Sequence, residues 1–470
     1  MPASPSTARA INDRLALRLL QREGPLTAGQ LKHLTGLSRP TVADLVERLT
    51  AAGLVEITGE TGAHRRGPNA KLYGIVAGRA YLAALDVRTD SVAVLISDLV
   101  GRVLAEASVP IGGDTDTGPA LDQAVTLVER AAKEAGADAL HTVCIGAPGL
   151  IDPATGDLHD SGSLPLWHRR LVAVLQERFP AARVLVENET NLAALAERGE
   201  GNAQGRDTFV LLWLGHGIGA AVVLDGTLRR GASGGTGEIG FLPVPGVALP
   251  SATDCEGGFH SVAGGWAVER LAREYGVAGE GAAGVVRGAV EAVSCGGVSP
   301  VGGGDAGTAL PGSGAVVTPG SAATGLAGRA GSAVGDAVSG AGSAAAGTIP
   351  PEDPAQAPSR TAAAGPGPVA TEAPDTVTSP ASAFLDTLAD RIALGVASVV
   401  AVLDPGCVVL GGEIGQAGGD VLAGKVEKRI RRMAPLATEV RAGGLGGGAV
   451  LRGALLTARE AAQDELFGAS

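Results

Sequence analysis

From Gly296 to Pro380 the chain carries no aromatic residue and no lysine, and among its Leu, Ile and Met residues only Leu310, Leu326 and Ile349. A stretch so poor in large apolar side chains cannot bury enough surface to offset the entropy of ordering it, so it is expected to be disordered. Whatever folds must fold around it. LAREYGVAG on one side and FLDTLADRIALGVASVVAVLDP on the other read as amphipathic helices, with Leu385, Leu388, Ile392, Val396, Val399 and Leu403 recurring at spacings of three and four. One folded domain is therefore expected on both flanks of a Gly/Ala/Ser/Pro-rich insertion at 283–380. With 470 residues in the chain, two or three domains are the prior.

Between Arg79 and Val223 short apolar runs alternate with helical stretches. YLAALDV, SVAVLIS, HTVCIGA, RVLVEN and TFVLLWL read as strands, and PALDQAVTLVERAAKEAG and LWHRRLVAVLQERF as helices. That is the pattern of an α/β domain. The cysteines at 144, 255, 295 and 407 include no CxxC or CxC pair, which fits reduced thiols better than a zinc or disulfide framework. The N-terminus shows no apolar signal core, and the apolar run from Ile392 to Leu403 is too short to span a bilayer. A soluble cytoplasmic protein is the expectation.

The first 75 residues stand apart from the rest. The whole chain has a formal net charge of −12, yet this segment holds ten Lys and Arg against six Asp and Glu, a net of +4. Thr27 and Gln30 form a capping box with Leu26 and Leu31 as a hydrophobic staple, so a helix is predicted to start at Thr27 and to end at Gly36. Ser38 then caps a second helix whose Val42, Leu45, Val46 and Leu49 share one face, and a preceding helix with Ile11, Leu15 and Leu19 inward supplies a third wall. Two short helices about a tight Gly turn make a helix-turn-helix. GLVEITGETGAHRRGPNAKLYGIV follows as two strands about a basic turn, a wing. Basic charge gathered there in an otherwise acidic chain points to duplex phosphates. The candidate DNA contacts are Thr27, Ser38, Arg39 and Thr41 at the helix starts and His64, Arg65, Arg66 and Lys71 on the wing.

The winged module followed in order by CIGAPGLIDPATG, VENETNLAAL, LGHGIGAAVVLDG, GGTGEIGF and LDPGCVVLGGEIG resembles the ROK family, which joins transcriptional repressors and sugar kinases on an actin-like, hexokinase-like two-lobed fold. The resemblance implies a winged helix-turn-helix domain at 1–76, a first part of the ROK domain at 77–282, the insertion, and a C-terminal part at 381–470. In the family's kinases a catalytic aspartate stands in an E-N-D-x-N stretch; Glu187, Asn188, Glu189, Thr190 and Asn191 occupy it here. A glutamate stem longer by one methylene misplaces the base by about an ångström, which costs on the order of 100-fold. The first phosphate loop, D-x-G-G-T, corresponds to Asp86, Val87, Arg88, Thr89 and Asp90, so side chains replace the glycines that let backbone approach a phosphate. The second loop carries His216 in place of a hydroxyl residue, while Gly411 and Gly412 in the adenosine stretch survive and also suit a tight strand-to-helix turn.

Sugar ligands of the family map to Asn188, Glu189, Glu238, Phe241 and His260, of which Asn188 and Glu238 match the kinases. Phe241 replaces a zinc-binding histidine, and ATDCEGGFH lacks the further thiolates of the family's zinc stretch, so neither a metal nor another cofactor is expected. Asn188, Glu189, Glu238 and His260 are the candidate effector residues, and no catalytic residue is assigned, Glu189 being a degenerate base. The resemblance implies a transcriptional regulator of sugar-metabolism genes, a repressor, that binds operator DNA as a homodimer or higher oligomer and answers to a sugar or sugar-phosphate effector. A sugar kinase fused to a DNA-binding domain and an effector-independent regulator remain as alternatives.

Overall fold

The computed structural model describes residues 5–61, 70–112, 115–159, 165–251, 256–295 and 379–468. At the front, helix α1 (Pro5–Glu23), strand β1 (Leu26–Thr27), helices α2 (Ala28–Thr35) and α3 (Arg39–Ala51), and strands β2 (Val55–Thr61) and β3 (Ala70–Ile75) make the winged helix-turn-helix, with a three-stranded sheet in the order β1-β3-β2. The caps are the expected ones. Thr27 Oγ1 accepts from the Gln30 amide at 3.2 Å while Gln30 Oε1 accepts from the Thr27 amide at 2.9 Å, and Gly36 ends α2 at a φ of 70°. Ser38 Oγ accepts from the Thr41 amide at 3.3 Å, and Val42, Leu45, Val46 and Leu49 of α3 are buried.

Of the three residues expected inward on helix α1, Leu19 is buried but Ile11 and Leu15 are not. Ile11 and Leu15 are 58% and 40% exposed, and the buried stripe is Asp13, Ala16, Leu17, Leu19 and Leu20. The cause is electrostatic and non-local. Arg48 of α3 donates to Asp13 at 2.5 Å, which lets a carboxylate occupy an interior position that hydropathy assigns to solvent.

The remainder is two lobes of the same topology. In the first, β4 (Tyr81–Val87), β5 (Ser91–Asp98) and β6 (Val103–Pro110) are antiparallel, and helix α4 (Thr117–Glu134), β7 (Leu140–Ala147), α5 (Leu166–Arg178), β8 (Arg183–Asn188) and α6 (Glu189–Gly199) complete a sheet ordered β6-β5-β4-β7-β8. The second repeats this order with β9 (Phe209–Leu214), β10 (Ile218–Leu224), β11 (Thr227–Arg229), helices α7 (His260–Ala263), α8 (Gly265–Glu274), α9 (Gly281–Cys295) and α10 (Pro380–Leu403), then β12 (Cys407–Gly411), α11 (Gly412–Met433) and β13 (Glu439–Ala442), in a sheet ordered β11-β10-β9-β12-β13. Helix α12 (Ala449–Gly468) then returns to pack on α6, β4 and β7 of the first lobe.

Helix α9 corrects the expected start of the insertion. Val285, Val286 and Ala289 lie in the second lobe's core with Phe384, Leu385 and Leu388 of α10, so the fold continues through Cys295, past position 283. GAAGVVRGAVEAVSC reads as low complexity because its residues are small, and smallness is what lets a helix sit close against its neighbours. Residues 296–378 lie outside the described residues. Among those described, no helix is long and apolar enough to cross a membrane.

The winged module shares a core with the first lobe. Leu17, Leu20, Leu49, Val55 and Ile75 cluster with Leu82 and Leu95 of the sheet and with Val450, Leu451, Leu455 and Phe467 of α12. Substituting Leu17, fully buried in this seam, by Ala is expected to cost about 2–5 kcal/mol in urea denaturation. A loss under ~1 kcal/mol would mean that the seam contributes little to holding the module.

Candidate effector cleft and nucleic-acid interface

On the winged module, Arg39 opens α3 and Lys71 sits on β3, both exposed, with Thr41 half-buried between them and the core. The hydroxyls of Thr27, Ser38 and Thr41 are engaged in helix caps, Ser38 Oγ and Thr41 Oγ1 lying 2.7 Å apart, so these three fix the helix starts while Arg39 and Lys71 present charge. Within α3 Asp44 pairs with Arg48. His64, Arg65 and Arg66 lie outside the described residues.

The cleft is assembled from strand ends and helix starts. Asn188 caps α6, its Oδ1 accepting from the amides of Thr190 at 2.9 Å and Asn191 at 3.2 Å. Its Nδ2 donates to the Gly149 carbonyl at 3.0 Å and to Glu189 Oε2 at 2.9 Å. Asn188 thus orients Glu189. The Glu189 carboxyl is pushed up to about 8 by burial, with the charges of Asp86 and Glu238 adding to the effect. At neutral pH it is mainly the acid, a form that cannot take a proton from a hydroxyl. Burial also raises Glu238. Asn188, Glu189 and Glu238 are therefore brought into one cluster that includes Asp86.

His260 opens α7, beside the turn between β9 and β10. Its Nδ1 accepts from the Ile218 amide at 3.3 Å, its ring meets Phe241 edge-on with centroids 5.5 Å apart, and a Cβ at Gly240 would overlap the ring. Burial, aided by the charge of His216, lowers its pKa and keeps it neutral. This anchoring gives His260 a structural task in the cleft wall. Cys255, its sequence neighbour in the altered zinc stretch, lies outside the described residues.

Two arginines form ion pairs that had no sequence signal as pairs. The first is Arg88, which donates from Nε to Asp86 Oδ2 at 3.1 Å and from Nη1 to Glu413 Oε1 at 2.5 Å. Asp86 lies near the end of β4 in the first lobe and Glu413 in the first turn of α11 in the second, so one guanidinium spans the cleft. Glu413 also crowds the second loop, since a Cβ at Gly215 would meet its Oε2. Gly412, at a φ of 74°, makes the tight strand-to-helix turn that aims Glu413, and any side chain there would strike the Leu214 carbonyl. The second, Arg230, pairs with the buried Glu187 at 2.6 Å, while Glu187 Oε1 takes the Asn188 amide and Asn191 Nδ2. Arg230 thereby braces the α6 start from beneath.

Two outcomes are expected from this geometry. Below pH 4.5 the Glu189 carboxyl is protonated in folded and unfolded chains alike; above that the unfolded chain ionises first, so stability falls with rising pH until about 8, where the folded protein ionises too. Glu189→Gln should flatten this fall and raise the melting temperature relative to the parent at pH 8 but not at pH 4; parallel curves would contradict it. Arg88→Ala leaves Asp86 buried and uncompensated, at an expected cost of about 2 kcal/mol, while Glu413→Gln, acting at a more exposed carboxylate, should cost less than ~1 kcal/mol. Equal losses in denaturation would show that Asp86 is not the dominant partner.

Comparison with known proteins places these features in a lineage. The ROK family model matches residues 82–282 and 370–461, and the MarR family model matches 11–67. The xylose repressor of Caldicellulosiruptor bescii is 27% identical over 240 residues, which is 50% of this chain and 59% of that protein. The N-acetylglucosamine repressor of Escherichia coli O157:H7 is 26% identical over 247 residues, 50% of this chain and 58% of that protein. The chain thus spans about three fifths of the curated relatives it matches. A crystal structure of a ROK family transcriptional regulator, homolog of the E. coli MLC protein, superposes with a TM-score of 0.64 at 18% identity over 98% of both chains. The ROK hexokinase of Thermus thermophilus superposes with a TM-score of 0.53 at 23% identity, covering 82% of this chain and 99% of that one. Both likenesses establish the two-lobed actin-like fold, and the first, which covers the chain almost end to end, takes in the winged helix-turn-helix as well. With its model matched across both lobes and over more than half of the residues, the chain belongs to the ROK family.

Proposed function

We propose that this protein is a transcriptional regulator, a repressor, that binds operator DNA through its winged module and changes affinity when the two-lobed domain takes up a sugar-type effector, without transferring phosphate. The observation that carries the regulatory reading over an enzymatic one is Arg88. A kinase needs backbone at close range to the nucleotide's phosphates, and here a guanidinium paired with Asp86 and Glu413 fills that approach. An incoming polyphosphate would have to break the pair and would then face two carboxylates. The MarR-type match over 11–67 and the repressors among the similar proteins support the DNA-binding half of the proposal.

Asn188, Glu189 and Glu238 are the proposed effector contacts, with His260 shaping the wall behind them. Arg39 and Lys71, with His64, Arg65 and Arg66 of the wing, are the proposed phosphate contacts, and Thr27, Ser38 and Thr41 set the helix starts that meet the duplex. A homodimer would present two modules to a palindromic site. Such a protein works in the cytoplasm, where the chromosome is.

Removing Arg39 and Lys71 together as alanines is expected to weaken duplex binding uniformly across sequences. It should also reduce the slope of log affinity against log salt by about two, near one per lost phosphate contact. An unchanged slope in fluorescence anisotropy would refute this docking. Coupled assays with hexoses and Mg-ATP should show no turnover above a Glu189→Ala control; sugar-dependent turnover well above it would favour a kinase fused to a DNA-binding domain.

A further inference from the structure

The seam between the winged module and the first lobe holds an open groove of about 550 Å³, lined by α1, the end of α6 and the outer face of α12. One wall is fixed by a hydrogen-bond chain: Gln463 Nε2 donates to Gln21 Oε1 at 2.8 Å and to the Leu99 carbonyl at 3.1 Å, and Gln21 Nε2 donates to the Val100 carbonyl at 3.1 Å. Leu195, Leu456 and Phe467 add an apolar floor. Three arginines and the carboxylates of Glu460 and Asp464 also line the groove. Arg18 is committed to Asp464 at 3.6 Å, and Arg198 to the Gly226 carbonyl and Asp207.

Arg459 is different. Half-buried, it makes no hydrogen bond or ion pair among the described residues, and burial holds its pKa below that of a free guanidinium although Glu200 and Glu460 act on it from a distance. Its position is built. The β5–β6 turn is pinned by Asp98 Oδ1, which accepts from the amides of Val100 at 3.1 Å and Arg102 at 2.9 Å. Gly101 in that turn has a φ of 90°, and a Cβ there would meet Arg459 Nη1, so the guanidinium lies in the space the glycine leaves. A planar donor array, unsatisfied among the described residues and lining a groove with an apolar floor, suits a ligand with one anionic head and a compact apolar body.

We propose that this groove is a second binding site, for a small organic anion bearing a carboxylate or phosphomonoester, with Arg459 receiving the head. Because α1 forms one wall, the occupant bears on the DNA-binding module and on the sensor lobe at once. The site is separate from the cleft of Asn188 and Glu189, and its existence does not rest on the DNA reading.

Phenyl phosphate is the probe, titrated into the full chain by calorimetry, with inorganic phosphate as the head alone and sodium chloride at matched ionic strength as the control for general salt effects. The expected result is saturable binding of phenyl phosphate, tighter than inorganic phosphate, accompanied by a melting temperature that climbs with ligand concentration. Arg459→Gln should weaken it about tenfold or more, and Arg459→Lys, which keeps the charge but loses the fork, should weaken it less. Binding unchanged in Arg459→Gln, or no saturable binding to the parent, would overturn the proposal. Duplex binding by Arg459→Gln in probe-free buffer should equal that of the parent, so failure of this site and failure of the regulatory reading can be told apart.

Discussion

Helix α12 is the member on which the arrangement depends. Its buried stripe of Val450, Ala454, Leu455 and Ala458 closes the back of the first lobe's sheet, and Leu451, Ala462 and Phe467 extend the same core toward α1. Helix α12 thereby joins α1 to the two-lobed domain. A module packed this way cannot swing on a free linker: a displacement of α12 against β4 and β7 is felt by α1 through direct contact, and through Asp13 and Arg48 by the helix that carries Arg39.

The cleft lies at the far end of the same elements. The α6 helix, in contact with α12 along its length, begins at Asn188 and Glu189, so a ligand that repacks the α6 start acts on a helix already touching the seam. Across the cleft, Arg88 ties Asp86 of the first lobe to Glu413 of the second. An ion pair built from the chain's own side chains thus joins the two lobes across the cleft.

Much of this was legible in the sequence wherever the determinants are local. The Thr27 capping box, the Gly36 stop, the Ser38 cap and the strands at 81–87, 91–98 and 209–214 depend on neighbours within a few positions, and each formed as read. The inward face of α1 was misread because the partner that buries Asp13 is 35 residues away. Helix α9 was lost among small residues that look like linker until a packed neighbour is known. The sequence exposed the loss of the phosphate-loop glycines at Arg88, yet Glu413 lies 325 positions on, so the cross-cleft pair was invisible. The repeat of one sheet topology in two lobes also left no recognisable periodicity, since what is repeated is strand order rather than residue identity.

On the proposed function, the front module reads a specific duplex on behalf of a two-lobed domain that moves no phosphate. The most direct test is selection of genomic fragments by the purified full chain, followed by the ratio of affinities for the selected duplex and for a scrambled one at physiological salt. A ratio of about a thousandfold or more, altered when a sugar fills the cleft, is the expected result. Equal affinity for both duplexes, with or without sugars, would contradict the account.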